Sequence, residues 1–174
     1  NAAELREEIL TELFKRTGKY PEFMTNCDTE VVLYSYIVWG EDCPCKLNGI
    51  FAFAVFKEQI GDTLSGDAPR QSIFLARDRF GVKPLYYCWI NDHKTFLFSS
   101  EMKGLLRHPD VRAQMDQYGL WQLFYLTPVT LHGSTLFKNI HEIQPAYSVS
   151  IDCTHSYGDY GEVPKMYSRK LLWH

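Results

Sequence analysis

The sequence predicts an α+β fold in which antiparallel strands are layered with helices. Three observations lead there: an amphipathic segment opens the chain, a series of short apolar strands follows, and further helical patterns interrupt that series before the end.

The elements follow in order. Leu5, Ile9, Leu10, Leu13 and Phe14 recur at helical spacing among Glu4, Arg6, Glu7, Glu8, Glu12 and Lys15, and Gly18 sits where such a helix stops. Residues 29–39 are apolar almost all round. Asp28 ahead of them is a favoured cap, so a second, more deeply buried helix is expected, with a strand as the alternative. Residues 51–56, FAFAVF, are apolar on both faces and read as a strand covered on both sides. Residues 74–76, 85–90 and 96–99 continue as a meander, with 91–94 turning the last pair. Ser99 or Ser100 can cap a short helix over 101–107, stopped by Pro109. Asp116 starts another, which places Leu120, Leu123 and Phe124 on one face and ends before Pro128. Tyr147, Val149 and Ile151 alternate with Ser148, Ser150 and Asp152 as a strand with one wet face. Beyond it the residues are rich in Gly, Tyr and acid without period. The division expected is therefore a domain over 1–152 and an irregular tail or linker over 153–174.

Composition narrows the function classes. A chain of 174 residues that is 45% hydrophobic can bury one core, so one domain is the default. The formal net charge is −3 with Lys and Arg scattered, which removes the basic surface that nucleic acid or an anionic membrane would need. No apolar run is long enough for a bilayer span and NAAELREEIL lacks the layout of a signal peptide, so a cytoplasmic protein is expected. Cys27, Cys43, Cys45, Cys88 and Cys153 make an odd, dispersed set that suits reduced thiols. The lone CPC at 43–45 has no second pair or nearby His, so no metal site is expected.

The run from Ile73 to Tyr87, IFLARDRFGVKPLYY, spells a strand, a charged turn and a second strand. Asp78 between Arg77 and Arg79 invites carboxylate–guanidinium pairing that would fix the turn. A charged corner between strands is otherwise usually solvated. Arg77, Asp78, Arg79 and Lys83 are assigned to holding the turn, with no part in chemistry.

This run resembles the RDRFGVKPLYY signature of the class II glutamine amidotransferase domain in glutamine-hydrolysing asparagine synthetases. Other segments fall in the order of that family: ELREEI, CDTEVVL, LNGIFAFAVF, FLFSSEMKGLLRHPDV and LFKNIHEIQPA. The resemblance reaches almost to Ile151 and implies a four-layer αββα sandwich of the N-terminal-nucleophile type. It also implies a parent protein that hydrolyses glutamine and delivers ammonia to an aspartyl-adenylate. ATP and magnesium are expected in a synthetase domain absent from this chain, which itself carries no cofactor; no SGGxDS loop is present, and SGD at 65–67 is too short a match.

In that family a cysteine at the mature N-terminus attacks the glutamine side-chain amide, with its own α-amino group as base. Asn1 instead matches an interior point, the Asn-x-x-Glu-Leu-Arg segment. The cysteine, the arginine that pairs with the substrate carboxylate and the Asn-Gly oxyanion pair therefore have no counterpart among these residues. The resemblance implies a glutaminase fragment, inactive alone. It carries one substrate contact: Asp28 matches the aspartate that holds the α-ammonium of glutamine, a role compatible with capping because a carboxylate has several acceptor sites. Cys27, beside a helix start, could replace the nucleophile, but Asp28 opposes a thiolate and no His lies close in sequence as base. Lys57 and Ala146 depart from the family's Asp and Gly and bear on local turns. Loss of the family's opening strands would leave sheet edges open, so a homo-oligomer or an edge-paired fragment is expected. Two other readings remain: a non-catalytic interaction or regulatory relative, and the domain of another class II amidotransferase or of a synthetase that lost its glutaminase function.

Overall fold

The computed structural model describes residues 1–59, 70–126, 133–153 and 165–172. They fall into two compact units, one of Asn1–Gly49 with Leu171–His174 and the other of Ile50–Lys170.

The first unit is helical. α1 (Ala2–Thr17) buries Leu5 and Ile9 and ends at Gly18, whose φ of 69° lets its N–H reach the Phe14 carbonyl. α2 (Asp28–Trp39) runs on through a 3₁₀ turn (Gly40–Asp42) to the short α3 (Cys43–Lys46). The all-round burial expected for α2 is corrected here. Only Val31, Ser35 and Val38 are buried, a stripe at helical spacing, while Leu33 and Ile37 are half exposed. Cys43 is fully buried, and that desolvation pushes its thiol up to about 12. All five cysteines are free thiols.

The second unit holds two antiparallel sheets. β1 (Ala52–Gln59), β2 (Arg70–Arg77), β6 (Tyr147–Asp152) and β7 (Lys165–Lys170) form one in the order β1-β2-β6-β7; β3 (Tyr86–Ile90), β4 (Thr95–Ser99) and β5 (Ile140–Glu142) form the other in the order β4-β3-β5. Register places Ile73 opposite Ile151 and Leu75 opposite Val149. These four side chains share one face and meet Leu85, Ile143, Tyr87, Trp89 and Phe96 in the inter-sheet core. On the second sheet, Cys88 and Ile140 pack with Leu105 of α4 (Met102–Leu105). α5 (Gln117–Tyr125) follows, capped by Asp116, whose carboxylate accepts from Gly119 N–H at 2.9 Å. The α+β class is met, and the paired sheets agree with an N-terminal-nucleophile-type sandwich.

The strands also depart from expectation in instructive ways. No meander joins 74–76 to 85–90: β2 lies in one sheet and β3 in the other, so the charged turn carries the chain across the core. FAFAVF is not covered on both sides, since Ala54 and Phe56 are exposed on the very face that β2 buries. Ser148, expected to be wet, is buried, and Leu123 and Phe124 of α5 are exposed. Glu101, not Ser99 or Ser100, caps α4; the Ser99 hydroxyl instead accepts from Glu101 N–H. Within the expected irregular tail, 154–164 lie outside the described residues, but Lys165–Lys170 pair with β6. β7 draws its order from the hydrogen-bonding edge of β6, and its own sequence carries almost no apolar period. Among the described residues no helix is long and apolar enough to cross a membrane.

Candidate functional site

The entry to α2 is held by residues from both long helices of the first unit. Glu30 turns its carboxylate back toward the preceding segment, accepting from Met24 N–H and Thr25 N–H at 2.8 Å each and from the Thr25 hydroxyl at 2.7 Å. Glu30 thus makes the reach-back of a capping-box glutamate, but to residues 24 and 25 in place of the cap amide. The Thr25 hydroxyl bond, then the backbone bonds, hold the Glu30 carboxyl below its ordinary range. From α1, the Arg6 guanidinium donates to the Cys27 carbonyl at 3.1 Å and lies 4.4 Å over the Phe23 ring. Phe23 packs on Tyr34 of α2 at 4.8 Å. A segment without secondary structure is thus fixed at both ends.

Asp28 sits at the end of this held segment. It is the first helical residue, and Cys27 takes the cap position, so the capping role expected of Asp28 is corrected. Its side chain is exposed and takes one weak bond among the described residues, from the Cys27 thiol at 3.6 Å. Acceptor capacity therefore faces solvent at a helix start. The Cys27 thiol is exposed and points to a carboxylate, which does not supply the electropositive surroundings a thiolate needs. Asn1 is occupied elsewhere: its side chain donates to the Lys46 carbonyl at 3.0 Å and accepts from Asn48 N–H at 2.9 Å.

The charged turn of the second unit has its own geometry. Arg77, only 4% exposed, donates to the carbonyls of Lys83 (2.7 Å), Gly81 (2.8 Å) and Ile143 (2.6 Å) and to the Glu142 carboxylate (2.7 Å). Asp78, 1% exposed, pairs with neither neighbouring arginine. It accepts from the backbone N–H groups of Phe80 (3.1 Å), Val82 (3.0 Å) and Lys83 (3.0 Å). The proposed arginine–aspartate pairing is thereby corrected: a turn this tight presents its amides to a buried carboxylate more closely than a side chain can reach it. Burial alone would raise the Asp78 carboxyl, but the Lys83, Val82, Phe80 and Gly81 amides outweigh it and hold it low. Lys83 contributes backbone groups while its side chain is exposed, as is that of Arg79.

Gly81 has φ of 66°, and a Cβ there would lie 2.6 Å from Pro145 Cγ. Asp78 also accepts on its carbonyl from Ala146 N–H at 2.9 Å. Arg77 and Asp78 therefore join the two places where the chain changes sheet, 78–84 and 143–146. The sequence showed the charges. It did not show Glu142 as partner, nor Arg6 and Glu30 as supports of Asp28, although a Glu three residues after the cap was a legible sign.

A family model described as the glutamine amidotransferase domain matches residues 1–159. Glutamine-hydrolysing asparagine synthetase 3 of Bacillus subtilis is 42% identical over 150 residues, 86% of this chain and 21% of that protein. A putative glutamine-hydrolysing asparagine synthetase 2 of Methanocaldococcus jannaschii is 31% identical over 151 residues, 86% of this chain and 26% of its own length. Asparagine synthetase 1 of B. subtilis is 32% identical over 152 residues, 87% and 21% respectively. The chain thus spans about a fifth to a quarter of the length of these relatives.

Proposed function

The chain belongs to the glutamine amidotransferase domain family, and from that premise we propose that it forms part of the glutaminase of an asparagine-synthetase-type polypeptide, with Asp28 binding the α-ammonium of glutamine. The observation that carries this reading is the held entry to α2. Glu30 and Arg6 fix the segment up to Cys27, leaving the exposed Asp28 carboxylate next to a held backbone and open to a cationic ligand. An ammonium offers three donors to such a group, which selects an amino acid over a simple amide.

The bond-cleaving nucleophile is assigned to residues other than these 174. Asn1 is committed to the 46–48 segment and is no nucleophile, and Cys27 faces a carboxylate. In the parent polypeptide the released ammonia would amidate aspartate, with ATP and magnesium held by a synthetase domain. The cytoplasm is the compartment this reading assigns.

A partner strand along β1 belongs to the same reading. Among the described residues β1 pairs with β2 alone, and Ala54 and Phe56 stay exposed on the core-facing side. An added strand would pair the open backbone edge and flank both side chains.

The test is substrate choice by the full-length polypeptide. It should hydrolyse glutamine at least about tenfold better in kcat/KM than the analogue lacking the α-amino group, the loss expected for one charge-assisted contact. Equal kcat/KM for the two amides would overturn the reading.

A further inference from the structure

Four aromatic residues of α5 face solvent: Tyr118 is 50% exposed, Trp121 45%, Phe124 76% and Tyr125 74%. Tyr118 stacks on Trp121 at 5.8 Å and Trp121 on Tyr125 at 5.7 Å, so three of the four rings form a continuous ladder. The helix is built inside out. Its buried residues are Gly119 and Gln122, and no residue of α5 is charged.

That orientation is enforced. A Cβ on Gly119 would run into the backbone of Thr135 and Leu136, so the helix lies tight against that segment on its glycine side. Asp116 caps the helix and donates its own N–H to the Leu136 carbonyl at 2.9 Å, and Gln122 Nε2 donates to the Ser134 hydroxyl at 2.7 Å. The stacked rings have little side-chain freedom left to lose on binding, which favours their use as a contact surface.

We propose that the aromatic face of α5 seats another domain of the same polypeptide, one that offers an apolar surface to Tyr118, Trp121, Phe124 and Tyr125. This rests on the reading above, that the chain is part of a longer synthetase-type protein; about four-fifths of the B. subtilis relative lies beyond the matched segment. Size separates this occupant from a second copy of the chain. A nine-residue helix is about 13 Å long and offers on the order of a few hundred Å², whereas a stable dimer buries about 800 Å² per partner. A tethered domain meets the patch at millimolar effective concentration, so a small apolar contact suffices. The absence of charge on α5 and the net charge of −3 argue against an anionic lipid surface.

Hydroxyl-radical footprinting of the full-length gene product, read by mass spectrometry, tests this without altering a residue. The α5 aromatics should label at least about fivefold more slowly than Tyr20 and Tyr167, at every protein concentration, as expected for rings in a dry interface. Labelling as fast as Tyr20 and Tyr167 would overturn the proposal. Protection that appears only as concentration rises would also overturn it, in favour of a second copy. The readout is accessibility, independent of turnover, so it stands whether or not glutamine proves to be the substrate.

Discussion

Arg77 Nη1 lies 2.7 Å from Glu142 Oε1, joining the last residue of β2 in one sheet to the last residue of β5 in the other. Both side chains are largely withdrawn from water, at 5% and 13% exposure, and the guanidinium gives three more of its donors to carbonyls. Replacing Arg77 by Met would leave the Glu142 carboxylate and those carbonyls without their donor. Unfolding in urea should show a loss of about 3–5 kcal/mol, the usual effect of breaking a buried pair by one partner. A change below about 1 kcal/mol would mean that the crossing between sheets does not depend on this residue.

Asp78 gives a pH signature. Its carboxyl is held low in the fold, so its contribution is present above the unfolded value of about 3.9 and is lost as pH falls through the folded one. Asp78→Asn should be less stable than the parent at pH 7 by about 2–3 kcal/mol, because an amide nitrogen meets N–H groups where an oxygen accepted them. The gap should close on acidification below about pH 4. Parallel stability curves for the two proteins from pH 7 to pH 3 would contradict this.

Ala146 is one of the non-glycine residues with positive φ, at 64°. A Cβ in that conformation costs about 1–2 kcal/mol. Ala146→Gly should therefore raise the midpoint of thermal unfolding, a gain reduced in part by the greater freedom of glycine in the unfolded chain. A lowered midpoint would show that the methyl group packs more favourably than the backbone is strained.

Glu30 holds the segment that leads into Asp28. Glu30→Gln keeps size but weakens three bonds, so the amides of Met24 and Thr25 should exchange hydrogen faster while those of α1 do not change. In the full-length polypeptide KM for glutamine should rise with kcat little altered. Unchanged exchange at both amides would remove Glu30 from the account.

How much of this was legible in sequence follows from what each residue type must do alone. Gly18 ended α1 and Asp116 capped α5 because capping is a local matter, written within four residues. The run 73–87 announced a fixed turn, but its true partner, Glu142, is 65 residues away, and no local rule selects Glu142 over Asp78. Burial was read least well. Ser148 is covered and Phe124 is not, because polarity reports what a residue prefers while coverage depends on what lies opposite. β7 escaped notice for the same reason, since an edge strand can be ordered by its neighbour's hydrogen bonds. Asp28 was singled out through resemblance alone; the held entry to α2 beside it emerges only when Arg6 of α1 and Glu30 of α2 come together.

Among the described residues β1 is paired on one side only, and this bears on the mass of the chain in solution. Light scattering should give either a multiple of the chain mass or the mass of the chain with a second bound peptide. Lys substituted for Phe56 on the exposed core-facing side should shift it toward the single chain. A strictly monomeric mass for the unaltered 174-residue polypeptide, with no second peptide present, would contradict strand addition.

If Asp28 holds the α-ammonium of glutamine, Asp28→Asn in the full-length polypeptide acts first on KM for glutamine. That KM should rise about 10- to 100-fold, corresponding to the loss of a charge-assisted contact, with synthesis from free ammonia unaffected. A KM within about twofold of the parent would contradict it.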